Sequence, residues 1–154
     1  MYSRLEIITR CTRPENLKVV KEKLKNDLVL IPEHHCNFER IRRRRKKITT
    51  VGFIGSYSSF KYKPFEELRR RLAEIGFEFI AYFTYKNRQD VVDFYKKIDI
   101  ATFGYPDIDE PFRHPTRLIS ASSFGIPTVC SWHPAFKEFE GNYIDEKATR
   151  KRKA

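Results

Sequence analysis

Two stretches of this chain carry residue types suited to gripping a phosphate, and a third lies between them. The first runs over residues 55–63, Gly-Ser-Tyr-Ser-Ser-Phe-Lys-Tyr-Lys. Gly55 lets a ligand approach the backbone closely, Ser56 offers a hydroxyl donor, and Lys61 and Lys63 bring positive charge. The second spans residues 113–117, Arg-His-Pro-Thr-Arg. Pro115 suits a first helical turn, where a missing N–H costs nothing, and a helix start carries unsatisfied N–H groups and partial positive charge. Thr116 and Arg117 add donors there, so the segment reads either as an anion site or as an ordinary helix-to-strand connection of an α/β domain. Between the two, the loop over 104–114 carries aromatic and acidic side chains, among them Tyr105, and ends at His114 beside the phosphate donors. His114 serves either as a ligand group or as a helix cap. None of these groups is a nucleophile; their chemistry is the holding and stabilising of negative charge.

Other reactive residue types read more plainly. His34-His35-Cys36 has metal-ligand chemistry, but three consecutive side chains point apart and do not close a tetrahedral site. Cys130 falls on a strand pattern and reads as a small buried apolar residue. His133 and Glu138 read as surface residues. Asp107, Asp109 and Glu110 read as a solvated acidic loop, because no matching cluster stands elsewhere. No metal or bound cofactor is expected.

The elements that must position the phosphate-gripping segments are legible from residue 48 onward. Residues 48–54 are β-branched and apolar, the pattern of a buried strand, with the Gly55 loop directly after it. A helix opens at Pro64, with Phe65, Leu68, Leu72 and Ile75 on its inner face, Glu66–Arg70 and Glu67–Arg71 pairs, and a stop at Gly76. Strands are predicted over 77–82, 99–103 and 127–130. Asn87 caps a helix whose inner face is Val91, Tyr95 and Ile98, and another helix opens at Pro115 and stops at Gly125. Alternating strands and helices specify an α/β fold, Rossmann-like, with three α/β/α layers and a mainly parallel sheet. In such sheets ligands bind at the carboxyl ends of the strands, and all three loops leave from that edge. Upstream, residues 1–27 form a charged segment with a helix predicted over 14–25. Residues 28–47 supply an entry strand and a basic linker, 48–144 the α/β domain, and 145–154 a basic tail.

With 154 residues and 40% hydrophobic content the chain can build one real core rather than two. The net charge of +11 is local. Residues 40–47 hold seven positive charges and residues 150–153 hold four, which together equal the whole excess, so the body of the domain is neutral. Such runs attract polyanions, either nucleic acid or an anionic membrane face, with Arg42, Arg43, Arg44, Arg45, Lys46 and Lys47 as the binding residues. They serve equally as a solvated connector and tail. Cys11, Cys36 and Cys130 share no CxxC spacing, which points to free thiols and a reducing, cytoplasmic setting. No apolar leader opens the chain, and no apolar run approaches the ~20 residues that span a bilayer.

The order of motifs resembles the donor-binding C-terminal half of GT-B-fold glycosyltransferases, of the group 1 or family 4 type. The residues that carry the likeness are 51–56 (Val-Gly-Phe-Ile-Gly-Ser), Lys61, 65–68 (Phe-Glu-Glu-Leu), Asp99-Ile100, 115–121 (Pro-Thr-Arg-Leu-Ile-Ser-Ala) and 124–129 (Phe-Gly-Ile-Pro-Thr-Val). Residues 30–35 resemble the entry segment of that half, and 134–138 its proline-to-glutamate stretch. The likeness covers residues 28–144. It implies a nucleotide-diphosphate sugar as donor substrate, with Gly55, Ser56, Lys61, Lys63, Thr116 and Arg117 on the diphosphate. Tyr105, His114 and Ser120 would line the nucleotide and sugar pocket. The implied activity is hexosyl transfer by positioning and by stabilisation of a leaving diphosphate, without a bound metal. Two departures stand out. Ser120 occupies the place of a glutamate that holds the ribose in many members, and the acceptor-binding half is missing. The chain then reads as a fragment, as one part of a split enzyme whose partner chain carries the acceptor site, or as inactive alone, with a peripheral contact to an anionic membrane as a further expectation. The alternative is a non-catalytic module that binds RNA or an anionic membrane through its basic segment.

Overall fold

The computed structural model describes residues 5–8, 18, 22, 27–30, 34–55, 65–103 and 115–145. The chain begins with a parallel pair, β1 (Leu5–Ile8) and β2 (Asp27–Leu30), in which Leu5 faces Asp27 and Ile8 faces Leu30. The strand at β2 matches the expected entry strand. β1 is a strand that the sequence reading does not place within the charged segment over 1–27, and it finds its partner about twenty residues along the chain. Within the predicted helix over 14–25, Lys18 and Glu22 are helical and the rest lies outside the described residues.

The main sheet has five strands: β3 (Thr50–Ile54), β4 (Glu78–Tyr82), β5 (Ile100–Phe103), β6 (Thr128–Cys130) and β7 (Ile144–Asp145). They lie in the order β4-β3-β5-β6-β7, and every pairing is parallel. Three α-helices connect them: α1 (Phe65–Glu74), α2 (Arg88–Lys97) and α3 (Thr116–Ser123). This is the Rossmann-like α/β fold that the alternating pattern specified. All five residues of β3 are buried, as expected of a central parallel strand covered on both faces. Val51, Phe53 and Phe79 join Phe65 of α1 and Phe136 in one core cluster. Ile54 and Ala101 join Val92, Phe94, Tyr95 and Ile98 of α2, and Ala121 and Phe124, in the other. At Gly52 the helix layer comes closest: an added Cβ would overlap Ile98 and stand 2.8 Å from Phe94 Cζ.

Most helix signals are realised. Asn87 caps α2, its side chain accepting from Asp90 N at 3.0 Å, and Gly76 and Gly125 sit at φ 80° and 69° as left-handed helix stops. Three details differ. Pro115 is the cap residue and the helix proper begins at Thr116. Glu66 pairs with Arg69 at 2.8 Å rather than with Arg70, which is held by Glu67 and Glu74. Ile75 follows the end of α1 and is 68% exposed, so it is not part of the inner face. After β6 the chain forms a 3-10 helix over Pro134–Phe139, opened by His133, whose Nδ1 accepts from Ala135 N at 3.1 Å. His133 is buried, against its reading as a surface residue.

Residues 34–49 form a strap across the helix layer that contains α2 and α3. Asn37 is fully buried and holds it: Nδ2 donates to Ile41 O (2.7 Å) and Ser123 O (2.8 Å), while Oδ1 accepts from Ile41 N (2.9 Å). Arg40 takes a left-handed φ of 54° to make the bend. One end is pinned to the start of α2, where Arg88 donates to Cys36 O at 2.9 Å and pairs with Glu39 at 2.5 Å. At the other end Arg43 N donates to Phe124 O at 3.1 Å, and its guanidinium forms an ion pair with the buried carboxylate of Asp99.

Candidate functional site

β3 and β5 are neighbours, yet the chain leaves β3 toward β4 on one side and leaves β5 toward β6 on the other. That reversal is the topological switch point, and open α/β sheets bind ligands in the crevice at the carboxyl ends of the strands there. Gly55 ends β3 on one wall. α3, which follows β5, presents its first turn on the other.

The two walls meet through one side chain. Arg117 lies so close to Gly55 that an added Cβ would stand 2.7 Å from Nη2. The same guanidinium lies over the ring of Phe53, 5.4 Å from its centroid, a cation–π contact that orients it. Its carbonyl accepts from Tyr95 Oη at 3.3 Å, which ties this turn to α2. Gly55 itself is buried, and its N–H donates to Tyr82 O at 3.1 Å, which fixes the backbone after β3. Among the described residues the start of α3 has no side-chain cap and no acidic residue in its first turn, where the positive end of the helix dipole lies. Gly55, Thr116 and Arg117, read from separate motifs, therefore stand together at the switch point.

Ser120 stands apart from them. One turn further along α3, it is 4% exposed and lies beside the Cys36 thiol of the strap. Its carbonyl accepts from Ser123 Oγ at 2.6 Å. Burial pushes the Cys36 thiol up, so it is protonated and structural at neutral pH. Ser56, Lys61, Lys63, Tyr105 and His114 lie outside the described residues, as do Asp107, Asp109 and Glu110.

The basic run divides. Arg42, Arg44, Lys46 and Lys47 are exposed. The Arg43 side chain is only 10% exposed and pairs with Asp99, which also draws Arg45 to 3.6 Å. Burial, and then the Arg45 charge, lower the Arg43 guanidinium from its usual range. Asp99 also accepts from Thr49 N and Thr50 N, both at 2.9 Å, so it locks the strap to the beginning of β3.

His34 and His35 are occupied locally. Their rings lie 4.5 Å apart, His34 Nδ1 meets His35 O, and His35 Nδ1 accepts from Asn37 N. Among the described residues no group of three His, Cys, Asp or Glu side chains is placed to hold a metal ion. Cys36 and Cys130 are free thiols, and Cys130 is fully buried on β6. No described helix is long and apolar enough to cross a membrane.

The sequence reading missed Asn37, Glu39 and Arg88 as the fasteners of the strap. Asn37 offered one signal, a short amide before a bend, since its side chain mimics a backbone turn. No family model matches this chain, and comparison with curated proteins and with solved structures finds no match.

Proposed function

We propose that the crevice between the carboxyl ends of β3 and β5 binds a nucleoside-diphosphate sugar, as the donor site of a GT-B-type glycosyl transfer. The observation that carries this reading is the meeting of Arg117 with Gly55 beside the uncapped start of α3. A diphosphate needs a fixed cation, N–H donors and backbone that admits close approach, and these three features supply one each. The resemblance adds Ser56, Lys61 and Lys63 to the diphosphate and Tyr105 and His114 to the nucleotide and sugar. As the bond between the sugar's anomeric carbon and the diphosphate breaks, negative charge grows on the leaving group. Arg117 and the first-turn N–H groups of α3 stabilise that charge without proton transfer. The acceptor and its base would come from outside the residues that form this donor site.

A thermal-shift panel with UDP, GDP, ADP and TDP and their sugars tests the reading. A ligand at a hundredfold excess over its Kd stabilises the folded state by about 2.7 kcal/mol, a rise of several degrees. A rise for one nucleotide family is the expected result. Unchanged melting with every compound at millimolar concentration overturns it.

A further inference from the structure

The two ends of the sheet differ in the chemistry they expose. Thr50 opens β3 and Asp99 immediately precedes β5, so the strap's Arg43–Asp99 lock sits at the amino ends of the strands. This edge is opposite the Gly55–Arg117 crevice. Arg43 turns inward to Asp99, while Arg45 reaches to 3.6 Å of it with its side chain still 45% exposed, and the neighbouring cations stand on the surface. Arg42, Arg44, Lys46 and Lys47 are all exposed, and Ile48 follows them at 57% exposure. Glu78, whose N–H donates to Thr49 O, is exposed at the same edge, and so is Lys97 at the end of α2. Glu74 is there too, but it is paired with Arg70. The exposed charge is predominantly positive.

The apolar groups sort by edge as well. Ile48 and Ile75, both aliphatic, lie at the amino edge, since α1 runs back there from the carboxyl end of β3. The exposed aromatics lie at the other edge: Tyr85 after β4, Trp132 after β6, and Phe38 under Arg88 at the start of α2. A surface that reads single-stranded RNA stacks bases on aromatic rings. A surface that meets anionic lipid needs a row of cations that attract headgroups and aliphatic side chains that enter the interface. The amino edge has the second composition.

We propose that the amino-edge ridge of Arg42, Arg44, Lys46 and Lys47, flanked by Ile48 and Ile75, docks this protein on an anionic lipid bilayer. The Arg43–Asp99 ion pair keeps the ridge in place, so docking adds no ordering cost for the strap. The carboxyl-edge crevice faces away from the bilayer and stays open to a soluble ligand.

The test is co-sedimentation with phosphatidylcholine vesicles, with and without phosphatidylserine. Wild type should sediment with the phosphatidylserine vesicles alone, and less so as salt rises. The combined R42Q, R44Q, K46Q and K47Q variant keeps the Arg43–Asp99 lock, so it should melt as wild type while its partitioning falls about a thousandfold. Ile48→Ser with Ile75→Ser should weaken binding several-fold at unchanged charge. Removing the same number of charges from the tail (R150Q, K151Q, R152Q and K153Q together) should leave most of the binding intact. Absence of binding to phosphatidylserine vesicles overturns the proposal, as does an equal loss in the tail variant. Tighter binding to polyuridylate than to vesicles, unaffected by the isoleucine changes, also overturns it and makes the partner a nucleic acid.

Discussion

Arg117 and Gly55 each had a legible role: a cation at a helix start and a glycine after a buried strand. Their contact did not. It depends on β3 and β5 being neighbours in the sheet, and no local pattern encodes that. An added Cβ at Gly55 would crowd the flexible tip of Arg117 at 2.7 Å and the buried Phe53 ring at 2.9 Å, so Gly55→Ala should fold with a lowered melting temperature. It should also displace the guanidinium, with binding of the responsive nucleotide weaker by about tenfold. Wild-type affinity in that variant would dissociate the contact from binding. Ser120, which stands where the family pattern has a ribose-holding glutamate, is 4% exposed and lies beside Cys36 of the strap. Glu39 carries a second prediction for a single side chain. Hydrogen bonding to Arg88 lowers its carboxyl from 4.5 to about 2. A depressed carboxylate contributes its stabilisation above the unfolded value and loses it as pH falls through the folded one. Wild type should therefore melt above Glu39→Gln at neutral pH, and the gap should close between about pH 4.5 and pH 2. Thermal melts across that range measure it, and a constant gap would contradict the Arg88 pairing.

The helices were readable because their apolar spacing, caps and glycine stops agree with one another, as at Asn87 and Gly125. Two short strands, β1 and β7, were not. β7 has two residues and β1 has four, too few for an alternation pattern, and each exists because a longer-range partner supplies its hydrogen bonds. The 3-10 helix over Pro134–Phe139 was readable as a proline-led stretch but not as a helix. The strap is the largest element that sequence alone left undefined. Its charges read as solvated or polyanion-binding, whereas two of the six candidate cations from Arg42 to Lys47 lean on Asp99. Asp99, its side chain 1% exposed, also receives two backbone N–H groups, from Thr49 and Thr50. Asp99→Ala leaves a buried guanidinium and two donors unsatisfied and should cost about 3 kcal/mol in urea unfolding. A loss below ~1 kcal/mol would mean that the strap is held by Asn37 and Arg88 instead.

Across the molecule as a whole, parallel topology separates two surfaces by construction. Every strand of the main sheet points its carboxyl end toward the crevice and its amino end toward the basic ridge. The fold class was legible because alternating strand and helix patterns admit few other arrangements. The crevice was legible only as a list of segments, and the order β4-β3-β5-β6-β7 brings two of them together. The separation predicts independence: neutralising Arg42, Arg44, Lys46 and Lys47 should leave nucleotide binding unchanged. The donor-site reading rests on Arg117. Titration calorimetry of wild type and Arg117→Ala with the nucleotide sugar that raises the melting temperature most is its sharpest test. Losing a charge-assisted contact of about 1.5–3 kcal/mol should weaken binding at least tenfold while the variant stays folded. Equal affinity in the two proteins would contradict a donor diphosphate held by Arg117.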